Sequence, residues 1–357
     1  MGNNDTASMF NSTPSLSITV ILSLLYGVIS LMSVLGNALV IFVVLRNKKM
    51  RTITNSFLVN LAISDIIQGL FATPFQFAPA ILYRWPFGDF MCPFVPFIKT
   101  LSILVSIGTL TVISVDRYFA VCHPLRRRLT PCSTAVTVGI IWINGICTST
   151  PKLLNLKTIE HILPDGGVRM FCVPQWSSDQ CRNIYHLYIF VTSYAVPLVV
   201  ITVAYSLIAK KMYVTKTPGE SNDARDQNIA KNKKKVITMG IGLVIVFAFC
   251  WLPLQLYDFL KFVTPDILSY KHINIIWFCC NWLAMSNAAC NPFIYGLLND
   301  NFKREYRKVF ELNKMTVRVG PVPMEPVPRV IGDQPKQQSW DLQEQSPPTL
   351  SQHVTRH

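Results

Sequence analysis

Charge is scarce in this 357-residue chain. Only 15% of its residues are Asp, Glu, Lys or Arg, where a soluble globular protein carries about 25%. The shortage is confined to long apolar stretches, which argues against two or three soluble domains and for one polytopic membrane bundle. Cysteine is sparse too, at ten residues, too few for a secreted fold held by disulfides. The 11% of aromatic residues excludes a wholly disordered chain. No HExxH, phosphate loop or nucleophile elbow occurs and the carboxylates are scattered, so nothing points to an enzyme. The first 16 residues hold no basic residue and no apolar core, and no cleavable leader is expected. A transporter or channel would carry repeated halves or charge-lined spans, and here only Asp65 and Lys99 are deeply placed.

Seven stretches reach the roughly 20 residues a helix needs to cross a bilayer. They lie near Ser17–Leu45, Asn55–Leu82, Met91–Val121, Ala135–Leu154, Ile184–Met212, Val236–Val263 and Ile273–Leu298. Lipid offers the backbone no partners, so helices are predicted, and the alternation of an outer-membrane barrel is absent. With the N-terminus outside, the cytoplasmic segments hold 25 of the 33 Lys and Arg and the external ones seven, while acidic residues split eleven inside and seven outside. The net +14 then sits on the cytoplasmic face, as the bias of basic loops toward the cytoplasm requires. The basic clusters Arg46/Lys48/Lys49/Arg51, Arg126–Arg128, Lys231/Lys233–Lys235 and Lys303/Arg304/Arg307/Lys308 abut apolar helices. They suit membrane lipids, at about 1 kcal/mol each near an anionic leaflet, or a cytoplasmic partner, rather than nucleic acid. Asn4-Asp5-Thr6 and Asn11-Ser12-Thr13 fit the glycosylation pattern, making Asn4 and Asn11 candidate acceptors on the external side.

Polar residues inside a span are costly and mark function or structure. Asp65 has Asn37, Ser106, Asn287 and Asn291 as candidate partners. Such oxygens suit a small cation or ordered water, and a hydrogen-bonded network without an ion is an equal alternative. Asp116-Arg117-Tyr118 ends the third helix, where a charge pair either snorkels to the interface or latches a switch. Pro253, one turn beyond Phe247-Ala248-Phe249-Cys250-Trp251, kinks the sixth helix. Asn291-Pro292 with Tyr295 does the same in the seventh, and the fifth carries Pro197 and Tyr205.

In their order these landmarks resemble the rhodopsin-like (class A) G-protein-coupled receptors, over about Gly36 to Phe310. They run from Gly36-Asn37 and Leu61-Ala62 with Asp65, through Asp116-Arg117-Tyr118, Trp142 and Pro197 with Tyr205, to Cys250-Trp251-Leu252-Pro253 and Asn291-Pro292 with Tyr295. The fold this implies is an all-α membrane protein, a seven-transmembrane helix bundle with a short amphipathic eighth helix, lodged in the plasma membrane with its N-terminus extracellular. By the resemblance Asp65, Ser106, Asn287 and Asn291 form a sodium pocket, with sodium as an allosteric ligand and no other cofactor or metal. Ile107, Pro197 and Phe247 form a connector, and Arg117 meets a heterotrimeric G protein. Asp116, Tyr118, Tyr205, Trp251, Pro253, Asn291, Pro292 and Tyr295 complete the switch. Cys92 is expected to bridge to Cys172, with Cys181 the competitor in the same loop. Asn301–Phe310 looks like the eighth helix, although no Cys follows Cys290 to take the family's frequent palmitate. The expected organisation is a tail over 1–16, the bundle over 17–298, the amphipathic helix over 299–312 and a disordered tail over 313–357. In that tail Ser339, Ser346, Thr349, Ser351 and Thr355 are candidate phosphosites for arrestin.

The ligand class follows from departures as much as matches. A retinal-binding receptor needs a lysine in the seventh helix, where this chain has Met285, and no Lys lies between Lys271 and Lys303. Amine receptors place an aspartate where this chain has Lys99. Tyr83–Gly88 resembles the first external loop of many neuropeptide receptors, and Phe249–Asp258 and Asn281–Ser286 resemble the tachykinin, neuropeptide Y and RFamide receptors, so a neuropeptide receptor is expected. Gln76, Lys99, Gln255, Asp258, Trp277 and Asn281 should line its mouth, with Asp258 taking a basic group of the peptide. Lys99 meets an acidic group of the ligand or pairs internally with Asp258. A class A receptor for a lipid or other small molecule, or one without external agonist, is the alternative.

Overall fold

A backbone amid twenty apolar side chains can satisfy its own N–H and C=O groups only by coiling, and the computed structural model is helical throughout these stretches. It describes residues 16–82, 84–125, 129–162, 167–214, 224–264, 267, 270 and 273–318. Among these, seven helices are long and apolar enough to cross a membrane. Helix α1 is Leu16–Arg46; α2 runs Ile53–Ile67 and Thr73–Leu82 around a π turn at Gln68–Ala72; α3 is Gly88–Cys122 and α4 Pro131–Leu154. Strands β1 (Leu156–Ile162) and β2 (Val168–Pro174) follow. Helix α5 runs Asp179–Phe190 and Val196–Val214 around a π turn at Val191–Ala195. Helices α6 (Ala224–Val263), α7 (Ile273–Leu298) and α8 (Asp300–Arg318) complete the chain.

Short polar side chains set where helices begin. Thr52 accepts from the Asn55 N–H at 3.2 Å to start α2, and Ser178 accepts from the Cys181 N–H at 3.1 Å to start α5. Thr130 and Ser133 form a reciprocal capping box on α4, with Pro131 in its first turn. The π turn in α5 sits just before Pro197, whose missing N–H and bulky ring a regular helix accommodates poorly.

The bundle is tied by polar contacts that cross between helices. Pro292 has no N–H, so it strands the carbonyl of Ala288 four residues back. The Asn37 side chain on α1 donates to that carbonyl at 2.9 Å, and to Ser33 O at 2.9 Å. Gly36 makes the approach feasible, because a Cβ there would meet the Pro292 ring at 2.9 Å. Asn37, weighed above as a partner of Asp65, thus spends its donors on carbonyls. A second tie joins three helices: Trp142 Nε1 donates to Asn60 Oδ1 at 2.9 Å, and Asn60 Nδ2 donates to Thr109 Oγ1 at 2.8 Å.

At one end β1 and β2 form an antiparallel hairpin with Thr158 opposite Cys172. A disulfide joins Cys172 to Cys92 on α3, with Cα atoms 5.5 Å apart, and Cys181 is a free, exposed thiol. Trp85 secures the hairpin further: its N–H donates to Met170 O at 2.7 Å and its indole to Gly88 O at 2.7 Å. Gly88 holds a φ of +76°, open to glycine at no steric cost. At the other end Phe302 of α8 is fully buried against Tyr295, ring centres 5.4 Å apart, while Lys303, Arg304, Arg307 and Lys308 are exposed. A hydrogen bond from Lys308 and the nearby Arg304 guanidinium hold the Glu305 carboxyl below its usual range.

Helix α8 continues to Arg318, past the end at 312 expected from sequence, because neither Pro nor Gly interrupts the chain before Gly320. Asn4, Asn11, Tyr83, Arg126–Arg128 and the tail phosphosites lie outside the described residues.

Replacing Asn37 by Leu keeps the volume but strands the Ala288 carbonyl. Thermal unfolding in detergent should show a loss of about 1–3 kcal/mol, the cost of a buried unpaired polar group. An unchanged melting curve would mean that the carbonyl finds another donor.

Candidate functional site

The side chains expected to line a mouth converge at the hairpin end, but not as equals. Lys99 on α3 is half-buried and donates to Asn281 Oδ1 on α7 at 3.1 Å. Asn281 is fully buried, so it stands behind Lys99 rather than lining the mouth. Its amide donates to the Tyr26 hydroxyl at 3.0 Å, which donates to Phe278 O at 2.9 Å. Tyr26 stacks on Phe77 with centroids 4.4 Å apart. This relay through α1, α3 and α7 aims the ammonium with no carboxylate involved. Asp258 on α6 is exposed, and among the described residues it is within ion-pair distance of no cation. The internal Lys99–Asp258 pair weighed from sequence does not form, because Asn281 holds the lysine. Gln76, Gln255 and Trp277 are half-buried, and the Gln76 carbonyl oxygen has no hydrogen-bond partner among the described residues. Trp277 packs edge-on against Phe278, centroids 5.4 Å apart.

Deeper, Asp65 is fully buried and accepts from Asn291 Nδ2 at 2.6 Å and from Ser106 Oγ at 3.4 Å. Ser64 and Ser106 share a hydrogen bond of 2.8 Å. Asn287, the fourth residue of the expected pocket, makes no such contact. Its side-chain oxygen is buried without a partner among the described residues. A carboxylate, a hydroxyl and two amide oxygens, one of them orphaned, form the donor set that a small hard cation takes.

Between these levels an aromatic ladder crosses from α5 to α6. Phe190, Tyr194, Phe247 and Trp251 follow one another with centroids 6.0, 6.3 and 6.1 Å apart. The Tyr194 hydroxyl, on the π turn, donates to Ala248 O at 3.3 Å. Ile107, Pro197 and Phe247 are all buried. Trp251 is buried, and its indole N–H has no partner among the described residues. Any displacement of Trp251 therefore breaks packing, not a hydrogen bond.

At the end opposite the hairpin, Arg117 is bound to its neighbour Asp116 at 2.6 Å and donates to Thr54 Oγ1 on α2. Tyr118 shares a hydrogen bond of 3.2 Å with His123. Tyr295 is fully buried and its hydroxyl has no partner among the described residues. Tyr205 has a different constraint. Its hydroxyl lies directly on Gly240 of α6, where an added Cβ would sit 1.9 Å from the oxygen. Only the absent side chain of Gly240 lets that ring lie against α6.

Tyr26, Asn60, Tyr194 and Gly240 went unrecognised in the sequence reading. A signal existed for Tyr26 and Tyr194, phenol hydroxyls inside membrane spans that each require a partner. Gly240, in Met239-Gly240-Ile241-Gly242, carries no signal until α5 is placed beside it.

Comparison with known proteins agrees with the seven-helix fold. Residues 36–295 match the 7 transmembrane receptor (rhodopsin family). The chain is 34% identical to the Substance-P receptor of Homo sapiens over 285 residues, 80% of this chain and 69% of that protein. It is 35% identical to the Neuromedin-K receptor of Oryctolagus cuniculus over 289 residues, 81% of this chain and 61% of that one.

Gly240→Ala should overpack the Tyr205 slot and lower stability by about 1–3 kcal/mol. Tyr205→Phe, which removes the clashing oxygen, should recover most of that loss in the double variant. The check is a double-mutant cycle by thermal unfolding in detergent. Additive losses would place the two side chains out of contact.

Proposed function

The chain belongs to the seven-transmembrane receptors of the rhodopsin family, and from that membership we propose that it binds an extracellular neuropeptide and signals through a heterotrimeric G protein. It is a multi-pass plasma-membrane receptor and not an enzyme. The observation that carries the peptide reading is the similarity to receptors named for substance P and neuromedin K over four-fifths of the chain. The mouth supports it: a disulfide-pinned hairpin beside the half-buried Lys99 and the exposed Asp258, each without an ion-pair partner among the described residues, suits a large polar ligand better than an enclosed apolar pocket would. The N-terminus and the hairpin face outward in this reading, which puts the net +14 on the cytoplasmic side.

Signalling follows as a population shift, driven by the ligand's differential affinity for two arrangements of the bundle. Contacts at Gln255 and Trp277 bear on α6 and α7. Movement of Trp251 is passed down the ladder to Phe247 and Tyr194, and α6 bends at Pro253. The outward swing of α6 withdraws Gly240 from Tyr205 and opens the cytoplasmic face around Arg117, whose partners Asp116 and Thr54 are on α3 and α2. The tail carrying Ser339, Ser346, Thr349, Ser351 and Thr355 is the segment for arrestin, and the exposed basic face of α8 suits anionic lipid.

Sodium fits the pocket of Asp65, Ser106, Asn287 and Asn291, since it would satisfy the orphaned Asn287 oxygen. When bound it supplies a positive charge beside Asp65. Asp65 on α2, Ser106 on α3 and Asn287 and Asn291 on α7 would hold it, and a positive charge there would draw these three helices together.

Cells displaying the chain should answer one class in a panel of amidated neuropeptides with a calcium or cAMP response. Silence across the panel, at confirmed surface expression, would turn the reading toward a lipid, another small molecule or no external agonist. Arg117→Ala should abolish nucleotide exchange on the G protein while agonist still binds, and exchange that survives the substitution would remove Arg117 from coupling. Sodium chloride, compared with choline chloride at equal ionic strength, should raise the melting temperature of the purified receptor. Asp65→Asn should erase that difference. An equal sodium effect in the variant would place the ion elsewhere.

A further inference from the structure

The ladder of the β1–β2 hairpin is phased at its open end, where the Gln175 N–H donates to Asn155 O at 2.7 Å. Hydrogen-bonded and non-bonded pairs alternate along an antiparallel ladder, so Lys157–Val173, Ile159–Phe171 and His161–Arg169 are the bonded pairs. The residues between them turn their N–H and C=O groups away from the partner strand. Two features of β2 agree with this phase. Pro174, which has no N–H to give, holds an outward position, and the outward carbonyl of Met170 takes the Trp85 N–H at 2.7 Å. On β1 the outward positions include Thr158 and Glu160, and among the described residues nothing bonds to their backbone groups. One edge of the hairpin is thus engaged by its own chain and the other is bare.

The bare edge is held in place. The Thr158 hydroxyl donates to Asp89 on α3, Cys172 is bridged to Cys92, and Leu156 and Met170 pack with Trp85. These contacts put α3 against a face of the hairpin rather than along the outer edge of β1. Exposed strand edges are normally blunted by proline, a bulge or a run of charge. In β1 seven residues pair one to one with no bulge and no proline, and Lys157 and Glu160 are of opposite sign. We infer that the outer edge of β1 docks an extended segment of peptide, which adds a third strand by bonding to the backbone of Thr158 and Glu160. The inference deepens the peptide reading above, on which it rests. Donors and acceptors alternating at the strand repeat are what another backbone offers and what a lipid or small organic ligand lacks. A hairpin fixed beforehand also loses little conformational freedom when the segment arrives.

Cells displaying the full chain are exposed to a panel of amidated neuropeptides that includes substance P and neuromedin K. Each responding peptide is then resynthesised with one backbone nitrogen methylated at a time, which removes that N–H alone. A strand added to β1 points every second N–H toward it. Potency should therefore fall about 3–10-fold at alternate positions of the docked segment and hold at the position between them. On the receptor, Glu160→Pro removes an outward N–H that the hairpin itself does not use, and an edge strand admits proline with its nitrogen turned outward. Potency should drop by a similar factor in Glu160→Pro and stay near native in Glu160→Ala, at equal surface expression. If Glu160→Pro does not reach the surface, the methylation pattern on the native chain decides the matter.

Potency that falls at consecutive positions or at none, or that is equal in Glu160→Pro and Glu160→Ala, would overturn the added strand and leave the peptide reading intact. An unchanged response in Glu160→Pro, with receptor dimers lost on native gels, would give the edge to a second copy of the chain and overturn the inference. Silence from the whole panel at confirmed surface expression would overturn both the added strand and the peptide reading.

Discussion

A carbonyl stranded by proline inside a bilayer has no water to turn to, and the arrangement of this bundle depends on how that carbonyl of Ala288 is satisfied. Pro292 kinks α7 and removes the N–H that Ala288 would have used. Asn37 on α1 supplies the replacement donor, Gly36 admits the proline ring, and α1 is thereby held to α7 at one height and one rotation. With α7 so placed, Asn291 reaches the Asp65 carboxylate on α2, and Ser106 joins from α3. One missing hydrogen bond organises a polar seam across four helices. That seam carries the helical kink, the buried acid and the orphaned Asn287 oxygen at a single level.

The seam also explains how two ends of the molecule can be stiff while the middle is movable. At the hairpin end the disulfide, the Trp85 contacts and the Tyr26–Asn281–Lys99 relay are all directional bonds. Among the described residues the contacts between α5 and α6 include the ring ladder, the unpartnered Trp251 indole and a bond from Tyr194 to a carbonyl. Dispersion contacts lose little when they slide, whereas a buried hydrogen bond lost in lipid is costly. Motion is therefore cheapest along α6, the helix that carries Pro253 and meets the Tyr205 ring at Gly240. Asp258 lies toward one end of that helix, and the Arg117 region is at the other end of the bundle.

Much of this was legible in the chain. Seven apolar runs of bilayer length, the basic bias of alternate loops, and Asp65, Asp116-Arg117-Tyr118 and Asn291-Pro292 in their order specified the helices, their number and the level of the polar seam. Those features are local: apolar length and proline chemistry act within one segment, whatever surrounds it. The six residues read as one mouth lining were less well resolved. Helical spacing says which face of a helix a side chain occupies, but not whether a neighbouring helix covers that face. Asn281 thus turned out to be the support of Lys99 rather than its neighbour in the cavity.

The sequence by itself determined the class of the molecule, because a bilayer penalises charge and unpaired backbone so heavily that composition and period leave one architecture. Tertiary structure alone decided who meets whom. It gave Asn37 to a carbonyl instead of Asp65, set the Tyr205 ring on Gly240, and put Lys99 on the Asn281 amide. Each of these depends on the rotation and height of one helix against another. Those are fixed by close packing and by the few interhelical hydrogen bonds, which no single segment encodes.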